Sequence, residues 1–147
     1  AAYASSAIIP DGTQPPAVAD RYSDYLPSAT PGCRAPHVWL GPAHARFSTL
    51  DLFGPHFVLL AGPDGQAWCE QAANATRDHH TRLIAYRIGD NPHERAAFLA
   101  AYEIGAAGAV LVRPDGYVAW RSTLPPQSGK EISDVLTQIL GRNRQAS

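Results

Sequence analysis

Two cysteines are the side chains with the widest chemistry in this sequence, because a thiolate can act as a nucleophile, a redox group or a metal ligand. They are Cys33 and Cys69, far apart in the chain and outside any C-x-x-C motif. Two cysteines are too few for a disulfide framework, which agrees with a reducing compartment. We interpret Cys69 as structural and unreactive, with a redox role as the alternative.

Histidines form the second candidate group, since an imidazole can bind a metal or move a proton. His79, His80 and His93 have no carboxylate or thiol beside them at a spacing typical of metal ligands. We expect them to be solvated surface residues. Serine, histidine and aspartate occur without a G-x-S-x-G motif, so hydrolase chemistry has little support. The sequence therefore assigns no catalytic, cofactor-binding or metal-binding residue to this chain.

Two arginines and two tryptophans remain as candidate contact residues. Arg113 and Arg121 flank a predicted hairpin and could hold a carboxylate of a partner, although a solvated edge or an internal salt bridge is the favoured interpretation. Tryptophan is enriched at interface hot spots, which makes Trp39 and Trp120 the best interface candidates. Packing in the core explains both tryptophans equally well, and their burial decides between the two interpretations.

Length and composition predict one compact domain. With 147 residues, 45% of them hydrophobic, the chain can form one real core but hardly two. A formal net charge of −1 disfavours nucleic acid and anionic membranes as partners. No apolar run approaches the roughly 20 residues of a membrane span, and the first residues lack the pattern of a signal peptide. We expect a soluble, cytoplasmic protein.

The first 30 residues are rich in proline and predict an extended arm or linker, and residues 31–147 are predicted to form the domain. Methionine is absent even from position 1, so we expect a processed protein or a piece of a longer one. At the start of the domain, the strand-like runs 37–40 and 47–53 predict a short outlying hairpin.

A regular core follows the hairpin. A buried strand over 56–61 leads into a helix over 66–76, in which Trp68, Ala72 and Ala75 share one face. A strand over 81–88 precedes a second helix, which Asn91 caps, with Pro92 in the first turn and Glu94 completing a capping box. Strands 109–112 and 117–121 flank the turn Arg113-Pro114-Asp115-Gly116, the first central in the sheet and the second at its edge.

The last helix combines several signals. Ser128 and Glu131 repeat the capping pattern, and Gly141 lies where a helix-terminating glycine belongs. The helix carries an apolar stripe of Ile132, Val135, Leu136, Ile139 and Leu140.

The resulting order is β-α-β-α-β-β-α, which is the core order of the thioredoxin fold. The segment from Tyr102 to Gly116 resembles the part of thioredoxin that enters its third strand and hairpin. Active thioredoxins carry a cis-proline there, and Gly108 occupies the matching place. Their C-x-x-C motif opens the first helix of this core, where Asp64-Gly65-Gln66-Ala67 stands in this sequence.

Three segments give a closer resemblance. They are Pro31 to Leu40, Ser48 to Gly54 with Phe57 to Leu60, and Gly108 to Arg121, the last with the core Leu-Val-Arg-Pro-Asp-Gly-Tyr-Val-Ala-Trp-Arg. Together they resemble the C-terminal thioredoxin-like domain of flavin-dependent aromatic hydroxylases, the relatives of phenol and polyketide hydroxylases. The resemblance covers roughly residues 31 to 141.

This resemblance implies a parent protein that binds FAD, takes reducing equivalents from NAD(P)H and hydroxylates an aromatic ring through a flavin hydroperoxide. The cofactor supplies such chemistry. The sequence has no G-x-G-x-x-G fingerprint, so the FAD site is expected upstream. We therefore predict a non-catalytic docking domain that contacts the upstream FAD and substrate domains, with a homodimer contact as a further option. The alternatives are a free-standing thiol oxidoreductase using Cys69 and a stand-alone interaction module.

Overall fold

A computed structural model describes residues 31–146 of the chain, with side chains described as far as Gly141. The predicted extended arm, residues 1–30, lies outside the described residues. Within the described residues no helix is both long and apolar enough to cross a membrane.

The core is a four-stranded sheet with helices on both faces. Strands β3 (Phe57–Ala61), β4 (Leu83–Arg87), β5 (Ala109–Val112) and β6 (Val118–Ser122) are arranged in the order β4-β3-β5-β6. Strand β3 runs parallel to β4 and antiparallel to β5, and β5 runs antiparallel to β6. The connecting helices are α1 (Gln66–His79), α2 (Pro92–Tyr102) and α3 (Glu131–Ala146). This is the thioredoxin-like α/β fold that the sequence predicts.

Two hydrophobic clusters stabilise the layers, one on each face of the sheet. Successive residues of a strand point to opposite faces, so Leu59 packs with α1 and α3, while Val58 and Leu60 pack with α2. The predicted face of α1 is confirmed, because Trp68, Ala72 and Ala75 are all buried. On the other face, Phe98 and Tyr102 of α2 are completely buried.

The predicted outlying hairpin is confirmed in part. Strands β1 (Trp39–Leu40) and β2 (Phe47–Ser48) pair antiparallel. However, most of the predicted second strand is a 3-10 helical turn, Thr49–Leu52. The Ser48 hydroxyl accepts a hydrogen bond from Leu50 N–H, and the Asp51 carboxylate accepts one from Ser48 N–H. This reciprocal cap stabilises the turn against an extended conformation.

The ends of α2 and α3 differ in detail from the prediction. Asn91 caps α2 by accepting a hydrogen bond from Glu94 N–H at 2.8 Å, but the Glu94 carboxylate accepts one from Gly41 N–H of the hairpin loop at 3.3 Å.

Helix α3 begins at Glu131 and continues through Gly141 to Ala146, so the predicted stop at Gly141 is wrong. A glycine without a positive φ costs helix stability but does not end a helix.

The edge of β6 has a neighbour that the sequence did not predict. Val118 N–H donates to Cys33 O at 2.8 Å, and Gly32 N–H donates to Val118 O at 2.9 Å. Arg34 lies over the ring of Tyr117, 5.1 Å from its centroid. These contacts cover part of an edge that would otherwise present unpaired backbone groups.

Glu131 makes the start of α3 sensitive to pH. Partial burial by itself would raise the pKa of Glu131, but hydrogen bonds from the Gln127 backbone, the Gln71 amide and the Ser128 backbone outweigh it and lower the pKa to about 2. A carboxylate whose pKa is lower in the folded than in the unfolded state stabilises the folded protein at pH values above its unfolded-state pKa. This stabilisation is lost as the pH falls through the folded-state pKa.

We therefore expect the free energy of unfolding to fall between pH 4.5 and about 2 in the natural protein, and to fall less in Glu131→Gln. At neutral pH, Glu131→Gln should be less stable by about 1 kcal/mol, because hydrogen bonds to a charged acceptor are lost. Urea unfolding as a function of pH measures both effects. Asp134→Asn controls for the loss of a negative charge in the same turn. Parallel pH curves for the natural protein and Glu131→Gln would contradict the prediction.

Candidate functional site

The start of α1 is the place where thioredoxin-like oxidoreductases carry their two cysteines. In this structure Gly65 is the N-cap of α1 and Gln66 is its first residue, so Asp64-Gly65-Gln66-Ala67 spans the helix start as the sequence predicts. A thiolate at such a position would gain from the helix dipole. The side chains present there supply no thiol.

The loop before β5 lies against this helix start and is bonded to it. Gly62 N–H donates to Gly108 O at 3.0 Å, and Asp64 N–H donates to Ala106 O at 2.8 Å. The indole N–H of Trp68 donates to Ala107 O at 2.8 Å. We call this contact between the turn 62–65 and the loop 105–108 the loop seal. The side chains of Asp64, Gln66 and Ala67 remain exposed beside it.

Two glycines make the loop seal sterically possible. A Cβ atom at Gly62 would lie 2.3 Å from Ala106 O, and one at Gly108 would lie 2.6 Å from Ser122 O. Gly108 occupies the place of the proline of active thioredoxins, and the close backbone contact explains why a glycine is found there.

The same hydrogen bonds bear on cofactor binding. A dinucleotide fold binds pyrophosphate with free backbone N–H groups in the turn that follows its first strand. After β3, the N–H groups of Gly62, Asp64 and Gly65 all donate within the chain. These three N–H groups are therefore not available to a pyrophosphate.

Both cysteines lie in poor positions for catalysis. Cys33 is buried beside β6, and Cys69 is half-buried one turn inside α1. Burial raises the pKa of the Cys69 thiol; Arg87 opposes this effect and Glu70 adds to it. A raised pKa reduces the thiolate fraction at neutral pH, which disfavours nucleophilic or redox chemistry.

The predicted histidine candidates lie in different places. His80 and His93 are exposed, whereas His79 is partly buried with its Nε2 3.0 Å from the Ser133 hydroxyl and 3.1 Å from the Ser133 carbonyl oxygen. A carbonyl only accepts, so Nε2 carries the proton and cannot act as a base toward the hydroxyl. Among residues 31–146, no three histidine, cysteine or acidic side chains are grouped closely enough to hold a metal ion.

Both candidate arginines form ion pairs within the chain. Arg113 pairs with Asp115 at 2.5 Å in the hairpin turn, and the buried Arg121 pairs with Glu103 at 3.4 Å. The internal salt bridge is therefore the interpretation that the structure supports for both.

The two candidate tryptophans differ completely in exposure. Trp120 is buried and packs edge-on against Trp68, with ring centroids 5.2 Å apart. Trp39 is 56% exposed. Trp120 is therefore a core residue, and Trp39 remains the interface candidate.

Trp39 lies beside an open groove between the β1–β2 hairpin and α2. The groove has a volume of about 530 Å³. We call it the Trp39 groove; its lining includes Trp39, Pro42, Arg46, His93, Ala97 and Ala101. Sequence reasoning found the tryptophan but not the groove, because α2 and the hairpin meet only in the folded chain.

The hairpin that carries Trp39 is held firmly to the core. The Pro36 carbonyl accepts hydrogen bonds from the Tyr102 hydroxyl at 2.6 Å and from the Thr49 hydroxyl at 2.8 Å. Burial raises the pKa of Tyr102, so its hydroxyl remains protonated and able to donate. His37 packs edge-on against Trp39, and its Nδ1 lies 2.5 Å from the Ser48 hydroxyl. Trp39 is therefore presented on a rigid support.

Comparison with known proteins gives a consistent picture. The family model "Aromatic-ring hydroxylase, C-terminal" matches residues 28–143. The tetracenomycin A2 monooxygenase-dioxygenase of Streptomyces glaucescens is 39% identical over 130 residues, which is 82% of this chain and 23% of that protein. The 4-methyl-5-nitrocatechol 5-monooxygenase of a Burkholderia species is 44% identical over 116 residues, or 76% of this chain and 21% of that protein.

Solved structures agree with these relatives. Aklavinone-11 hydroxylase, in a ternary complex with FAD and aklavinone, matches 96% of this chain with a TM-score of 0.81 and 37% identity. The flavin-dependent monooxygenase PieE, in complex with FAD and substrate, matches 97% with a TM-score of 0.82 and 36% identity. The match covers 26% and 25% of those chains. The present chain thus spans about a quarter of the length of the proteins it resembles.

The loop seal leads to a test by substitution. Gly62→Ala should lower the free energy of unfolding by about 1–3 kcal/mol, because the new methyl group would overlap Ala106 O. Gly141→Ala is the control, since its methyl group would meet no atom within 4 Å. Denaturant unfolding measures both. Equal stability of Gly62→Ala and the natural protein would show that the loops can separate at little cost.

The burial of Cys69 gives a second test. We expect iodoacetamide to alkylate Cys69 in the native protein at least about tenfold more slowly than an unfolded cysteine at neutral pH, because its thiolate fraction and access are reduced. An insulin-reduction assay with dithiothreitol, compared between the natural chain and Cys69→Ser, should show no activity that depends on this thiol. Insulin reduction that Cys69→Ser abolishes would support the oxidoreductase alternative.

Proposed function

The chain belongs to the aromatic-ring hydroxylase C-terminal family, and on that premise we propose that it is the non-catalytic C-terminal domain of an FAD-dependent aromatic-ring monooxygenase. One observation carries the proposal. Nearly the whole chain superimposes on a domain that makes up only a quarter of flavin-dependent hydroxylases.

The described residues support a structural role in such an enzyme. In the turn after β3 the N–H groups of Gly62, Asp64 and Gly65 donate within the chain, which supports a protein whose upstream part holds FAD and NAD(P)H. When bound there, the flavin would supply the oxygen-transfer chemistry. This domain would contribute folded surface, and its partner would be the FAD and substrate domains of the same polypeptide. The low number of cysteines, two in the whole sequence, agrees with a cytoplasmic location.

The test starts from the gene. The reading frame is followed upstream of the Ala1 codon, and the complete product is purified. We expect a product roughly four times as long as this chain, with a flavin absorption spectrum and with NAD(P)H oxidation that an aromatic substrate stimulates.

A matched pair of products separates the roles of the two parts. The complete product without residues 31–147 is compared with this chain alone, and flavin should be found only in the first. A frame that starts close to Ala1, or a complete product without flavin, would overturn the proposal. The first result would leave a stand-alone interaction module as the remaining interpretation.

A further inference from the structure

We propose that the Trp39 groove is the face with which this domain docks against the upstream oxygenase part of the same polypeptide. The inference rests on the function proposed above and adds the surface, the chemistry of the contact and its occupant.

The first argument is the exposure of an aromatic side chain on a rigid support. Trp39 is 56% exposed, although the hairpin beneath it is bonded to the core through Pro36 O. A tryptophan fixed in one conformation loses little side-chain entropy when a partner covers it, so it is an efficient anchor for an interface.

The second argument is the shape of the groove. Ala97 and Ala101 follow each other by one turn of α2, and both line the groove opposite Trp39. Neighbouring outward positions of α2 carry Ala96 and Ala100, so a partner can approach this helix closely. The outer surface of α2 therefore fits an apolar segment that packs between the helix and the indole.

The third argument is charge. Arg46 lies at the rim of the groove, and among residues 31–146 no carboxylate pairs with it. The Glu94 carboxylate, which also lines the groove, accepts a hydrogen bond from Gly41 N–H. The groove thus carries both signs of charge, and the matching partner presents a carboxylate to Arg46 beside its apolar side chains.

The length of the relatives argues for the occupant. About three quarters of each hydroxylase chain that matches lies outside the matched domain, and the family model describes the C-terminal part. In such a chain the upstream part is covalently tethered to this domain, which gives it a high effective concentration at the surface of the domain. A separate protein has no such advantage.

Photo-crosslinking in the complete gene product tests the proposal directly. Benzoylphenylalanine is introduced in place of Ala97 in one variant and in place of Ala73 in another. Ala73 is an exposed alanine of α1 and provides the matched control. We expect irradiation to join position 97 to a peptide from the upstream part of the same molecule, and position 73 to none. The linked peptide should contain apolar side chains and an acidic residue.

The substitutions Ala97→Arg, Ala97→Ser and Ala73→Arg give an independent measurement. Arginine is a good helix former, so Ala97→Arg blocks the groove without removing a core contact. We expect a protease to release this domain from Ala97→Arg at least about tenfold faster than from the natural product, because the contact no longer limits opening. Ala97→Ser and Ala73→Arg should behave like the natural product.

The outcomes separate this proposal from the one on which it rests. If the complete product contains flavin but position 97 crosslinks to a second copy or to nothing, the docking face is wrong while the proposed function stands. Equal protease release from Ala97→Arg and Ala73→Arg would overturn the docking face in the same way. If the complete product has no flavin, the proposed function fails and the docking partner fails with it.

Discussion

The backbone pairing of β3 with β5, which the loop seal continues beyond the strand ends, is the contact on which the architecture depends, because it joins the two halves of the fold. The turn after β3 belongs to the β-α-β-α half, and the loop 105–108 leads into the β5–β6 hairpin and α3. The hydrogen bonds that Gly62 and Asp64 donate to this loop fix the two halves against each other, and the indole of Trp68 adds a third. Trp68 also packs against Trp120, so one side chain connects the seal to the core on the α1 and α3 face.

A second polar contact, at the Pro36 carbonyl, fixes the β1–β2 hairpin to the core. A buried carbonyl must find donors, and Tyr102 and Thr49 supply them from α2 and from the 3-10 turn. Both donors are completely buried. The hairpin is therefore part of the folded body, and the exposure of Trp39 is a property of a rigid surface.

Much of the fold could be predicted from the sequence because periodicity and turn chemistry act locally. The face of α1, the cap at Asn91 and the hairpin turn at Arg113 to Gly116 all follow from short-range rules. The 3-10 turn was missed although Ser48 and Asp51 have the spacing of a cap, because the β-rich residues around them favoured a strand. The pairing of Gly32 and Cys33 with Val118 uses backbone groups alone and leaves almost no side-chain signal. Nothing local in the sequence could distinguish Trp39 from Trp120, since the burial of a tryptophan depends on which elements meet around it.

The loop seal uses backbone groups and leaves the side chains at the start of α1 open to solvent. Asp64, Gln66 and Ala67 are exposed, so cysteines in these places would gain from the helix dipole and would remain accessible. Ala106 and Ala107 are bonded to the helix start through their carbonyls. Opening the loop seal would leave those carbonyls and their donors without partners, at a cost of about 1–3 kcal/mol for each group that stays buried. The loop 105–108 therefore holds the domain together, while the exposed indole of Trp39 and the exposed alanines of α2 present surface that is available for contacts.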